Sequence, residues 1–554
     1  MKKFFALLST FYFLLSTPHS SHAISEFRTN METTYEFDEV GNANISHIIG
    51  LTNNLSHIYP TTYNLSVSSG DIKDVKVAVM GDSVSPQVDS QNSTTSIHIP
   101  VRNPKIGKDQ KTTLDISYNT LSFAEIIGET ISLTLPKTAK GNEAETFVRK
   151  VIVPNTYPEL SYSSIKVNEA SSSAQSRSYV FTGSGDQNLT LHFGTTASYD
   201  LKLSYLLKNN TSIAATSELA LPPDTAYQRV VINEISPKPT EIVLDSDGNW
   251  LARYQLPPHS KQDVIADLSI IVSPTPVYFD PSSSAPMGED TYWEQSSSVK
   301  RLATNLKNPE NLYNYLLESL SYDYAQISRQ KRLGAAAALA SPESAICTEF
   351  TDLFVATSRA MGIPSRAIIG YAVTSNNTLK PQGSNIDILH AYPEYQDPSS
   401  KVWKSVDPTW GHTTGGSEYF DLLDFGHITF VRWGSSSSYP LPAGSYRENR
   451  AGKQIEVSIR SESLKIPEIS YKIEPNNEIS YLVNTGRSAI INEKLLINNQ
   501  EVSIVYLPPF GKQQISNLKP GSWQDLFHEY GTFIMIPFVL LLISLFYLIW
   551  KKKC

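Results

Sequence analysis

The chain has 554 residues, enough for three to five domains and for ample buried core. Its formal net charge is −8 with 18% charged residues, which argues against nucleic-acid binding because that needs a basic patch. The 29 tyrosines, 33 prolines and serine-rich turns suit β-rich modules of an extracellular kind.

The N-terminus opens Met1-Lys2-Lys3, continues as an apolar run from Phe4 to Leu15, and reaches a small-residue pattern at Ser21-His22-Ala23. This reads as a signal peptide over residues 1–23. From Thr33 to Pro136 short apolar–polar alternations are broken by Asn, Gly and Ser, which predicts a β-sandwich module over 24–138. Ala139-Lys140-Gly141-Asn142 is the expected joint to a second β-rich region over 139–278, of one or two modules, closing at the strand "VIADLSIIV". Within it, Asp247-Gly248 between two alternating runs signals a hairpin. Residues 279–290, with prolines among serines, form a linker or an extended wrap.

Helical patterns begin near Glu294, and an alanine run spans Ala335 to Ala340. Strand patterns follow, so residues 291–440 read as an α+β domain. A further small β-sandwich is expected over 447–518, beginning with "IEVSIR". Thr532 to Trp550 carries no charge for nineteen residues and is followed by three lysines, predicting a transmembrane helix at 532–550 and a cytoplasmic tail at 551–554. The lipid bilayer is then a partner, and the bulk of the chain is extracytoplasmic. The two cysteines, Cys347 and Cys554, fall on opposite sides of that membrane, so no intrachain disulfide is available. A large exported chain without one points to a bacterial or archaeal cell surface.

The chemistry concentrates between Ser341 and Trp410. Phe350, Leu353, Phe354, Thr357, Ala360 and Met361 recur at three- and four-residue steps, as on one face of a helix that ends at Gly362. Ser341 and Ser344 are the candidate caps, and either leaves Cys347 in the first or second turn. There the positive end of the helix dipole favours the thiolate. Downstream, β-forming runs at Ile388–Tyr395 and Lys401–Asp407 flank Asp397-Pro398-Ser399-Ser400, a type I turn sequence. A hairpin centred on those four residues pairs positions that sum to 797, which sets His390 opposite Asp407. His412 and His427 read as structural, and Trp403 and Trp410 as core or cleft wall. No Walker loop, C-x-x-C pair or metal-ligand cluster stands out, so neither a cofactor nor a metal is expected.

The helix closing in "RAMGIPSRAIIGY", the strand "HAYPEY" and the segment "VDPTWG" resemble the transglutaminase-like superfamily of cysteine enzymes, and "DFGHITFVRWG" resembles the continuation in some microbial members. The resemblance covers Trp293 to Gly434, about a quarter of the chain. It implies a papain-like α+β domain in which Cys347 is the nucleophile, His390 the base and Asp407 the orienting acid. Two positions depart from the family: Ala345 stands where glycine is usual, and Tyr392 where tryptophan is frequent. Neither removes a reacting group. A second oxyanion donor beyond the Cys347 N–H is not assigned, with Tyr322 and Tyr324 as candidates.

The expected protein is a single-pass surface protein of β-sandwich modules around one cysteine-enzyme domain. It would act on protein, peptide or glutamine carboxamide carbonyls, wall peptides included, by hydrolysis or by acyl transfer to an amine. The alternative is a non-catalytic surface binding or adhesion protein on the same fold.

Overall fold

The computed structural model describes residues 26–516, apart from 92–93, 138–144, 184, 186, 329–330, 375–379, 382–388, 417, 447–452, 477–478 and 498–499. The expected signal peptide, the joint at 139–142, and the expected span and tail at 532–554 lie outside these residues. Among the described residues no helix is long and apolar enough to cross a membrane.

Alternation sets the N-terminal unit. In Phe27–Phe37, Met31, Thr33, Tyr35 and Phe37 turn inward while Arg28, Asn30, Glu32 and Glu36 face solvent. This strand pairs antiparallel with Ala43–Asn53 on one side and parallel with Thr146–Pro154 on the other. One eight-stranded sheet therefore draws strands from both sides of the boundary expected at 138, and a single core runs from Met31 to Phe193. The parallel pairing escapes sequence reading because no local turn announces it: the two partners are joined by a crossover of the intervening chain.

A second sandwich follows. Ala197–Asn209, Gln228–Ser236 and Ser260–Val272 form one sheet, and Ala215–Leu221, Trp250–Leu256 and Glu241–Leu244 the facing one. Ile455–Ile459, expected in the last module, instead completes the first of these sheets, with Leu201 paired to Val457. The last unit then begins at Tyr471 and packs Leu482, Ile490, Ile504 and Ile515 into its own small core.

Between these lies the α+β unit. Its helices are α1 (Ser297–Leu306), α2 (Pro309–Ser319), α3 (Ala335–Ala340), α4 (Cys347–Ala360) and α5 (Pro408–Thr413). Its four-stranded sheet runs, in spatial order, Trp403–Ser405, His390–Gln396, Ser365–Ala372 and His427–Trp433. Residues α4 needs for packing, among them Phe350, Leu353 and Phe354, are fully buried against this sheet and the other helices. Behind the sheet, Arg366 stacks 3.9 Å over Trp403 and donates to Glu394 at 2.7 Å and to Asp280 at 2.9 Å. Asp280 also pairs with Arg432 at 2.7 Å, so residues 279–290 are a wrap tied to the sheet by buried charge. This network fixes the strand that bears His390.

Candidate active site

The Cys347 helix starts at neither serine. Pro342–Ser344 forms a separate 3-10 turn, and α4 begins at Cys347 itself with Ile346 as its cap residue. Ile346 has no side-chain acceptor to offer, so the end is tied from inside: Glu349 accepts from the Ile346 N–H at 3.1 Å and from the Leu333 N–H at 2.7 Å. Cys347 thus occupies the first helical position, where the backbone N–H has no intrahelical acceptor. Its thiol is free and 9% exposed. The helix ends as its sequence suggests, with Gly362 at φ +83° and the Ile363 N–H returning to Ser358 O.

His390 and Asp407 meet, but not through the expected register. The hairpin pairs Glu394 with Ser405 and Tyr395 with Lys404, positions summing to 799 rather than 797. The turn extends through Lys401, which takes φ +60°, and is held by the Asp397 carboxylate bonding Ser399 and Ser400. The strand stops at Ser405, and Asp407 becomes the cap residue of α5. Its two oxygens divide the work. Oδ1 accepts from the Thr409 and Trp410 N–H groups at 2.9 and 3.0 Å, while Oδ2 faces His390 Nε2 at 2.7 Å. An ionised carboxylate only accepts, so Nε2 carries the proton and Nδ1 is left as the ring's other nitrogen, while the nearby Cys347 thiol adds to the forces that keep the ring protonated.

His427, read as structural from sequence, enters the same cluster. Its Nε2 lies 3.2 Å from Asp407 Oδ2 and its Nδ1 2.8 Å from Asp424 Oδ1. Asp424 Oδ2 in turn accepts from Lys380 Nζ at 2.8 Å, and Lys380 also pairs with Glu125 of the N-terminal unit. The buried charges therefore alternate from Glu125 through Lys380, Asp424, His427 and Asp407 to His390. Burial alone would lower the His390 pKa, but the Asp407 carboxylate and the bond to it hold it up at about 9. Burial likewise opposes charge on His427, and Asp424 followed by Asp407 brings it to about 9. For Asp407 burial pushes upward, yet His390 and then His427 keep it well below the ordinary carboxylate range.

His390, Asp407 and His427 bring three potential ligand atoms within 4.8 Å of one another, a set that the sequence did not reveal. In this structure both Nε2 atoms point at one Asp407 oxygen, at 2.7 and 3.2 Å, so the three groups serve one another as hydrogen-bond partners.

Residues 296–408 match the family model of the transglutaminase-like superfamily. The chain carries a transglutaminase-like domain. Among solved structures, a Cytophaga hutchinsonii protein described as a candidate cysteine protease is 14% identical, covering 49% of this chain and 93% of its own, with a TM-score of 0.32. The periplasmic domain of TgpA from Pseudomonas aeruginosa is 17% identical over 40% of this chain and 92% of its own, with a TM-score of 0.22. No curated protein matches the chain.

Beside the His390 cluster of the transglutaminase-like domain, Trp410 is fully buried and stacks on His390 with ring centroids 4.9 Å apart, as part of the core. Trp403 instead packs behind the sheet under Arg366. His412 lies within α5, and its Nδ1 meets Leu317 O at 2.8 Å, a structural contact. Tyr322 bridges to Ala345, and its phenol is pushed up by burial and then by the nearby Cys347. Tyr324 stands against Tyr322 but is exposed. The sequence does carry a signal for His427: an ionisable ring at the start of a strand with apolar Ile428, Phe430 and Val431, three residues after Asp424. Lys380 had none, since a lysine in a polar loop has no periodicity to betray burial.

Proposed function

We propose that this chain is a transglutaminase-like cysteine enzyme that forms a thioester between Cys347 and a peptide or glutamine carboxamide carbonyl. The observation that carries the reading is the His390 ring, bonded to Asp407 Oδ2 at 2.7 Å through Nε2 and close enough to the Cys347 thiol for the two to interact. In the resting pair the thiol proton rests on His390. The Cys347 sulfur attacks the carbonyl carbon, and the developing oxyanion takes the Cys347 N–H, which has no acceptor within its helix, with the neutral Tyr322 phenol as the second donor. The carbon–nitrogen bond then breaks as His390 gives its proton to the departing amine, leaving the thioester. Water or an incoming amine next loses a proton to His390 and attacks the thioester, and the thiolate departs. With water the outcome is hydrolysis, and with an amine it is cross-linking.

The leader-like start at 1–23 and the uncharged run at 532–550 place this chemistry, in our reading, on the outer face of a bacterial or archaeal membrane. Proteins and wall peptides are the substrates available there. The test is incubation of the protein with a peptide library, with and without a primary amine, and analysis of products and of Cys347 adducts by mass. Chain-shortened or amine-linked products that vanish in Cys347→Ala support the reading. A non-catalytic adhesin would give neither products nor an acyl adduct.

A further inference from the structure

We infer that His427 is a positioning residue of this site, a fixed cation that donates to the same oxygen of Asp407 as His390 does. The inference rests on the reading of Cys347 and His390 as nucleophile and base, and concerns what holds their carboxylate.

The protonation state follows from partners alone. His427 Nδ1 faces Asp424 Oδ1 at 2.8 Å and Nε2 faces Asp407 Oδ2 at 3.2 Å. Ionised carboxylates accept and do not donate, so both ring nitrogens must carry protons and the ring is an imidazolium. Two other buried histidines in the same chain show the contrast. His47 sits between the Thr33 and Tyr118 hydroxyls, and burial pushes it down to about 3. His192 is likewise pushed down, to about 4. A histidine that merely fills space here is neutral, whereas His427 is arranged to be charged.

The clamp is itself braced. Asp424 Oδ2 accepts from Lys380 Nζ at 2.8 Å and from the Tyr419 hydroxyl at 2.9 Å, and Oδ1 also accepts the Gly426 N–H at 2.9 Å. The groups that face His427 are thus Asp407 from the α5 cap, Asp424 and Tyr419 from the preceding loop, His390 and Tyr392 from the next strand but one in the sheet, and Lys380 behind Asp424. Sharing Oδ2 between two cations has a directional effect. It keeps Asp407 ionised and pointed, and it weakens the hold of Asp407 on the His390 proton, which that ring must release to the leaving amine.

The test uses the full chain carrying ring-labelled histidine. In the Cys347→Ala protein, which has no acyl chemistry, the His427 resonance, assigned by its loss in His427→Gln, is expected to remain that of an imidazolium throughout pH 6 to 8. In the thiol-bearing protein, the pH profile of Cys347 alkylation by iodoacetamide is expected to step near pH 9 as His390 loses its proton. In His427→Gln that step moves upward by about half a unit or more, because a repelling cation has gone. His427→Phe, which fills the ring space without donating, is expected to slow peptide acylation by about ten- to a hundred-fold, with Gln, which keeps an N–H, recovering part of the rate. A His427 resonance that is neutral at pH 7, or variants that melt lower while the alkylation step and the acylation rate stay at wild-type values, overturn the inference. Failure of the wild-type protein to acylate at all would instead remove the proposed function, and the resonance experiment would still decide the state of His427.

Discussion

His390 Nε2 lies 2.7 Å from Asp407 Oδ2, although the two residues are not cross-strand partners. The hairpin register would set Asp407 opposite Tyr392, two residues along the strand from His390. A shift of two preserves the face, and the chain then leaves the strand at Ser405 and bends into α5, bringing the carboxylate back to the ring. One carboxylate therefore serves as helix cap and as imidazole acceptor at once.

That double duty sharpens what Asp407→Asn should do. The amide oxygen can still cap α5, but its NH2 group would face the Nε2–H of both His390 and His427. Acyl-enzyme formation is expected to fall by about 10⁴-fold, as when an orienting carboxylate is replaced in a serine triad. The melting temperature should fall as well, because two buried imidazoles lose a counter-charge. Acylation and thermal unfolding measured on the same variant check both, and a wild-type acylation rate would exclude Asp407 from the mechanism.

The raised pKa of His390 predicts the pH profile. A ring held up at about 9 keeps its proton at neutral pH and loses it only as pH rises through that value. The proton donor for the leaving amine is then lost on the alkaline side, so kcat should decline around pH 9 rather than near 6.5. The sign for stability is the same: the folded-state gain is complete below about 6.5, the ordinary histidine value, and is lost as pH climbs to about 9. Rate profiles and melting curves from pH 6 to 10 test this, and a kcat decline centred near pH 6.5 would contradict it.

Arg366 gives a prediction away from the chemistry. Its guanidinium is fully buried between Glu394 and Asp280, and Glu394 also accepts from Ser405 at 2.8 Å. Arg366→Met would strand two carboxylates beside the His390 strand, at a loss of about 3–5 kcal/mol, the usual penalty for removing one partner of a buried pair. Denaturant unfolding measures it. A change under about 1 kcal/mol would show that the network relaxes or takes up water.

Gly411 tests how α5 is seated. A Cβ there would fall 2.3 Å from the Tyr313 hydroxyl, which also accepts from the Tyr419 N–H at 3.1 Å. Gly411→Ala should push α5 from α2 and lower stability by about 1–3 kcal/mol, as overpacked sites do. Because Asp407 caps this helix, the acylation rate should fall too. Unchanged melting would mean that Tyr313 swings aside freely.

Local patterns in the sequence were enough to settle several features. The helices from Ser297 and Pro309 and the Gly362 stop follow from apolar spacing, capping and the conformational freedom of glycine, all short-range effects; Cys347 near a helix start was also legible, although neither serine offered as its cap is the one used. The triad candidates were named by residue type and local setting, even though the register offered for His390 and Asp407 was two residues out. What depended on distant contacts was decided only by the tertiary structure. Strand Phe27–Phe37 lies parallel to Thr146–Pro154, and Ile455–Ile459 joins a sheet formed some two hundred residues earlier, because strand pairing is set by burial and not by chain proximity. His427 becomes charged only when the fold sets Asp407 and Asp424 on its two nitrogens, and a lone histidine in an apolar strand cannot announce which acceptors will reach it.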